Sequence, residues 1–73
     1  MSKNITKTVI ADGGLNLRTE PNTESIVIAL VPQGDFVWCI GESKLDDDWV
    51  FVNFFDEKDF QNYNGWVNKK YLN

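Results

Sequence analysis

Short runs of alternating apolar and polar residues, separated by turn residues, dominate the pattern of this chain. Leu15-Asn16-Leu17-Arg18 alternates with a period of two, which is typical of a strand with one buried face. Other runs are rich in β-branched and aromatic residues and predict further strands. The predicted strands span residues 6–11, 15–18, 25–31, 35–41, 49–55 and 65–68. Since no helical period accompanies them, the pattern predicts a small all-β barrel.

The connections between these strands carry the residues that favour turns and surface loops. Gly13-Gly14 ends the first predicted strand, and Pro32-Gln33-Gly34 separates the third from the fourth. The polar run 19–25 contains Pro21 and no apolar residue, so it predicts a surface loop. We expect two further connections, an acidic one at 42–48 and a nine-residue loop at 56–64.

Four short motifs occur together in a characteristic order and spacing. They are Leu15-Asn16-Leu17-Arg18 with Pro21 and Ser25; Val27, Val31 and Gly34; Gly65-Trp66-Val67; and Tyr71-Leu72. Over about residues 7–73 the chain resembles the bacterial SH3 (SH3b) domain family. The resemblance implies an SH3-like barrel of five to six short antiparallel strands with a C-terminal 3-10 turn. We expect residues 1–5 to form a disordered N-terminal tail and residues 6–73 to form the barrel domain.

Alternation along each strand separates inward from outward residues once one residue is placed. The family pattern places Val50 and Val52 inside the barrel, which leaves Trp49 and Phe51 outside. By the same rule the inward residues of the two preceding strands are Val27, Ala29, Val31, Val37 and Cys39. If adjacent strands bring the outward apolar residues together, they form a candidate protein interface. Its members are Ile28, Leu30, Phe36, Trp38 and Phe51. The alternative is that a bent sheet or the 56–64 loop covers these residues, and the sequence favours neither reading.

The resemblance also implies a ligand groove between the 18–25 loop and aromatic residues near the end of the chain. The matching residues are Asn16, Arg18, Thr19, Glu20, Asn22, Thr23, Trp49, Trp66 and Tyr71. Aromatic faces supply contact area at a small entropy loss, while amides and hydroxyls orient a ligand. For Trp66 we favour the alternative of a packing residue that covers the barrel end. Asn22 has the alternative role of stabilising its own turn, and Arg18 that of a surface ion pair.

Composition and charge argue against several classes of protein. The formal net charge is −4, from 7 basic and 11 acidic residues, and no cluster of Lys and Arg offers a surface for nucleic acid. No apolar run is long enough for membrane insertion. The resemblance suggests a cell-envelope or secreted protein. No signal peptide is visible in these residues, however, so a cytoplasmic protein and an excised domain both stay open.

The chain also lacks the usual parts of a catalytic or metal site. Cys39 is the single cysteine and there is no histidine, so a nucleophile–base pair, a zinc site and a haem ligand set all lack their common members. The run Asp46-Asp47-Asp48 has neither the alternating carboxylates nor the glycine of a calcium loop. We therefore expect no enzyme, no catalytic or metal-binding residues and no cofactor.

Two functions remain open at this point. The first is a non-catalytic binding module that recognises a peptide or a cell-wall peptide stem in the groove beside the 18–25 loop. The second is a structural or protein-interaction domain that acts through the exposed apolar sheet face. In that case it is a homodimer, a domain docked to a neighbouring catalytic domain, or a small acidic inhibitor of a host protein.

Overall fold

The computed structural model describes residues 5–42 and 48–73, and most of these residues lie in β-strands. The strands are β1 (Ile5–Thr8), β2 (Leu15–Arg18), β3 (Val27–Val31), β4 (Phe36–Glu42), β5 (Trp49–Asp56) and β6 (Gln61–Asn68), followed by the 3-10 turn η1 (Lys69–Tyr71). The all-β, SH3-like class and the C-terminal turn are therefore confirmed. Ile5, expected in the disordered tail 1–5, belongs to β1. Residues 1–4 of that tail and residues 43–47 of the expected acidic connection lie outside the described residues. No described helix has the length and apolar character that a membrane crossing requires.

All six strands belong to one antiparallel sheet, in the order β1-β4-β5-β6-β2-β3. The sheet is curled, and the end of the chain lies against the segment that follows β1. Val9 bridges to Leu72, the Ile10 amide donates to the Tyr71 carbonyl at 2.9 Å, and the Asn73 amide donates to the Thr8 carbonyl at 2.8 Å. These contacts place η1 close to the turn at residues 11–14, where they help to form one wall of the candidate site.

The interior of the curled sheet is filled by the alternate residues of the strands. The fully buried apolar side chains include Val9, Leu17, Val31, Val37, Val52, Phe54 and Val67. Gly65 permits a close approach of the paired strands β6 and β2, since a Cβ at this position would lie 2.6 Å from the Arg18 carbonyl oxygen and 2.7 Å from Leu17 Cδ2. The inward assignments of Val37, Val50 and Val52 are confirmed.

The prediction of a nine-residue loop at 56–64 is wrong, because β5 and β6 extend into this segment and form a hairpin. Asn53 pairs with Asn64 and Phe54 pairs with Tyr63, and the Asn53 Nδ2 donates to Asn64 Oδ1 at 2.8 Å. The polar residues of 61–64 mostly face solvent, while Tyr63 packs against the core. A strand with one largely solvated face thus looked like a loop in the sequence. The turn that remains ends at Phe60, which is 79% exposed and has a left-handed φ of 55°.

The predicted inward position of Val27 is also wrong. Leu17 pairs with Ala29 and Arg18 pairs with Val27, so Ile28 is an extra residue that forms a bulge in β3. A bulge shifts the alternation of the bulged strand by one residue. Ala29 and Val31 therefore keep the inward parity, whereas Val27 is 44% exposed beside the exposed Ile28.

Candidate functional site

The loop between β2 and β3 is held in shape by its own hydrogen bonds. The Ser25 hydroxyl lies 3.0 Å from the Glu20 carbonyl oxygen and 3.1 Å from the Asn22 carbonyl oxygen, both of which are acceptors for its proton. The Glu24 amide donates to Asn22 Oδ1 at 3.0 Å, which is the turn-stabilising role foreseen for Asn22. The Thr19 amide donates to the Ile26 carbonyl at 3.0 Å and closes the loop at its base. A loop with this many internal bonds presents its side chains in a defined arrangement.

Arg18 connects this loop to the sheet. Its Nη1 donates to the Ser25 carbonyl at 2.8 Å, and its side chain is half-buried. This bond uses one of the five N–H donors of the guanidinium group, which leaves donors for a ligand. The structure thus gives Arg18 a bond that tethers the loop to β2.

A groove of about 490 Å³ runs between this loop, the turn after β1 and the C-terminal turn. Five of the residues expected to bind a ligand line it, namely Asn16, Arg18, Thr23, Trp49 and Tyr71. The structure brings these side chains together from β2, the β2–β3 loop, β5 and η1. The other lining residues include Asp12, Asn68 and Lys70, which the sequence reasoning missed.

Trp49 lines this groove although it is almost fully buried. Its side chain is only 6% exposed, yet it does not belong to the main core cluster. Alternation on β5 keeps it off the face that carries Val50 and Val52, as expected, but the expectation that it is an exposed residue is wrong. The surrounding segments cover it, so it offers a ligand the accessible part of a fixed indole.

The remaining predicted ligand residues do not line the groove. Thr19, Glu20 and Asn22 are exposed on the same loop, outside the groove. Trp66 lies elsewhere on the sheet, where its ring packs against Phe51 with a centroid distance of 5.2 Å. This contact agrees with the packing role that we favoured for Trp66.

The wall formed by η1 carries a lysine that the motif comparison did not include. Asn68 Oδ1 accepts a hydrogen bond from the Lys70 amide at 3.0 Å and so caps the turn. The Lys70 Nζ lies 5.1 Å from the centroid of the Tyr71 ring, within the range of a cation–π interaction. The pair Lys69-Lys70 directly before the motif residue Tyr71 was the signal in the sequence that could have indicated this cation.

The groove differs in charge from the rest of the chain. Arg18 and Lys70 contribute two positive charges and Asp12 contributes one negative charge, within a protein of net charge −4. Opposite charges attract a ligand and orient its approach. The groove can therefore hold a polar ligand that brings an acceptor or a negative charge and presents one apolar face to the aromatic residues.

The predicted interface residues fall on two separate surfaces. Phe36 and Trp38 lie on β4 in an edge-to-face contact, with ring centroids 5.3 Å apart, and Phe51 is half-buried on β5. Ile28 and Leu30 lie on β3, which stands at the other end of the strand order. The expectation that these residues share one patch is wrong, because β3 and β4 are consecutive in the chain but are not paired in the sheet.

A second concavity of about 500 Å³ lies on the outer face of β4, β5 and β6. It is lined by Trp38, Ile40, Asn53, Phe55 and Asn62. Phe55 packs against Phe60 of the hairpin turn, with a centroid distance of 6.1 Å. The Tyr63 hydroxyl donates a hydrogen bond to Asp59 Oδ2 at 3.3 Å. Desolvation, and after it the negative charge of Asp59, raise the pKa of Tyr63 above its ordinary value.

Within residues 5–42 and 48–73, no group of three or more acidic, cysteine or histidine side chains is arranged to hold a metal ion. No protein with a curated description and no solved structure matches this chain. A family model described as the bacterial SH3 domain matches residues 13–73, which is most of the chain. The matched region contains β2 to β6 and η1, and with them nearly all of the groove. The chain therefore belongs to the bacterial SH3 domain family.

Proposed function

We propose that this protein is a non-catalytic binding module that holds an extended peptide, such as a cell-wall peptide stem, in the groove beside the β2–β3 loop. Membership of a family of binding domains that are generally non-catalytic supports the first part of this proposal. The observation that carries the second part is the convergence of Arg18, Thr23, Trp49 and Tyr71 on one groove. These residues come from four different segments of the chain.

The chemistry of the groove favours a peptide with a carboxylate. Arg18 and Lys70 would attract the carboxylate, since both cations line the same groove. The indole of Trp49 and the ring of Tyr71 would contact the flat or apolar part of the ligand, and the Thr23 hydroxyl would orient its backbone. The preformed loop reduces the entropy lost on binding, because its hydrogen bonds are already made without a ligand.

A titration of the ¹⁵N-labelled protein with soluble muropeptide stems tests this proposal. We expect amide shifts at Arg18, Thr23 and the residues of η1, and no comparable shifts at the β5–β6 hairpin. Shifts restricted to other surfaces, or none at about 1 mM ligand, a concentration that would detect even weak binding, would contradict the proposal.

Two matched threonine variants on one loop make the test specific. Thr23 lines the groove, whereas Thr19 is exposed on the same loop but does not. We expect Thr23→Ala to weaken binding by about 0.5–1.5 kcal/mol, the usual contribution of one hydrogen bond. Thr19→Ala should bind like the wild type, so equal losses in the two variants would point away from this groove.

A second candidate function is docking to another protein through the outer face of β4 and β5. The exposed and mutually packed rings of Phe36 and Trp38 favour it, because exposed apolar patches commonly mark protein interfaces. Sedimentation of Trp38→Glu beside the wild type tests self-association through this face. If both proteins sediment with the mass of a monomer, self-association through this face is excluded.

A further inference from the structure

β3 is an edge strand of unusual composition. It stands at the end of the strand order and pairs with β2 alone, so in the described part of the chain no strand covers its other edge. Its five residues, Val27–Val31, include no charged residue and no proline. Natural sheets normally protect an edge with charges, proline or a very short strand, since an open edge is a template for pairing.

The opposite edge of the sheet provides a comparison within the same molecule. β1 has only four residues, Ile5–Thr8, and carries Lys7 and two threonines. β1 therefore has the usual protection of an edge strand, and β3 does not. The bulge at Ile28 is the single protective feature of β3, and it also turns Val27 outward, which adds exposed apolar surface.

We propose that two copies of this chain pair through β3 in an antiparallel, two-fold arrangement that continues the sheet. The occupant of the edge must be a strand, because what the edge offers is a row of backbone donors and acceptors. A pairing centred on Ala29 would set Ile28 of one copy opposite Leu30 of the other, on the exposed face. A second copy thus supplies matching aliphatic side chains as well as a matching edge, as a two-fold interface requires.

Charge also favours a second copy at this strand over other parts of the surface. The protein has a net charge of −4, so two copies repel each other over most of their surfaces. β3 is uncharged, and a pairing centred on Ala29 joins only residues 27–31 of the two copies, so no acidic residue faces another within the paired strands. β3 is therefore a place where two copies can approach closely without like charges in register.

Three isoleucine-to-lysine variants distinguish this surface from the rest of the molecule. Ile28 is 37% exposed on β3, Ile40 is 50% exposed on the outer face of β4, and Ile10 is 50% exposed outside both surfaces. All three side chains are accessible, so each variant should fold, which far-ultraviolet circular dichroism checks. Leu30→Lys, also at an exposed position of β3, is a second variant of the proposed edge.

Sedimentation equilibrium from about 1 µM to about 1 mM protein, the range of weak to moderate association, measures the outcome. We expect the wild type to approach twice its monomer mass of 8.4 kDa, with Ile28→Lys and Leu30→Lys monomeric and Ile40→Lys and Ile10→Lys like the wild type. A monomeric wild type overturns the proposal. So does a dimer that survives the two β3 variants or that Ile40→Lys dissociates.

Amide hydrogen exchange separates strand pairing from a purely side-chain contact. If the edges pair, β3 amides that β2 does not protect should exchange more slowly at high protein concentration than at low concentration. Exchange rates independent of concentration in a protein that does dimerise would overturn the proposed geometry. Ile28 does not line the ligand groove, so muropeptide titration of Ile28→Lys reports on the proposed function separately.

Discussion

Substitution of Gly65 by alanine tests the close approach of the paired strands β6 and β2. A Cβ at this position would lie 2.6 Å from the Arg18 carbonyl oxygen, 2.7 Å from Leu17 Cδ2 and 3.0 Å from Leu17 Cγ. Real Cβ atoms do not approach other atoms so closely. Neither neighbour moves easily, because one is strand backbone and the other belongs to a fully buried side chain. Gly65→Ala therefore forces β6 and β2 apart.

The magnitude follows from two opposing effects. Overpacking in a well-packed interior destabilises a protein by about 1–3 kcal/mol. Replacing glycine with alanine stabilises by about 0.4–1 kcal/mol through the unfolded state, where the backbone conformation permits it. The midpoints of these two ranges differ by about 1.3 kcal/mol, so we expect a net loss of about 1.3 kcal/mol in the free energy of unfolding, which for a domain of this size lowers Tm by roughly 5–10 °C.

Gly41→Ala is the matched control. A Cβ at Gly41 would meet no atom within 4 Å, and its φ is not in the left-handed region. We expect this variant to be as stable as the wild type or slightly more stable. Urea unfolding followed by circular dichroism compares the three proteins. If Gly65→Ala is as stable as Gly41→Ala, the close approach of β6 and β2 at Gly65 is not a feature of the folded protein.

Three further predictions concern the hairpin and the loop. Phe60→Asn should be about 1 kcal/mol more stable than Phe60→Ala in urea unfolding, because asparagine tolerates the left-handed φ of 55° and both variants lose the ring. The pKa of Tyr63 is raised in the folded state, so the unfolded state releases this proton first and the stability of the wild type falls as pH rises above 10.0. In thermal unfolding at about pH 9–11, the Tm of Tyr63→Phe should fall less steeply with pH than the Tm of the wild type. Ser25→Ala should lower stability by about 0.5–1.5 kcal/mol and broaden the amide resonances of residues 19–25.

The barrel interior could be read from the sequence because strand alternation is a local property. Each inward residue is flanked along its strand by residues that point to the opposite face. The buried residues identified in this way are Leu17, Val37, Val50 and Val52. The polar 19–25 segment was likewise recognisable as a loop from its composition. About half of the groove, including Arg18 and Tyr71, followed from motifs at the expected spacing.

The sequence-based predictions failed where pairing between distant segments determines the secondary structure or the orientation of a residue. Gln61–Asn64 are polar and resemble a loop, but pairing with Asn53–Asp56 makes them a strand. The bulge at Ile28 depends on the register between β2 and β3, so no pattern within β3 shows that Val27 turns outward. Trp49 looks like an exposed aromatic residue in the strand pattern, yet in the folded protein it is only 6% exposed.

The all-β class, the inward residues of most strands and the polar loop follow from local sequence, because each depends on residues close together in the chain. The folded arrangement of the strands sets their order, which separates β3 from β4 and leaves β3 as an open edge. It also brought Asp12 and Lys70 to the groove. The physical reason is that the free energy of long-range strand pairing depends on contacts between segments, and a one-dimensional pattern does not contain those contacts.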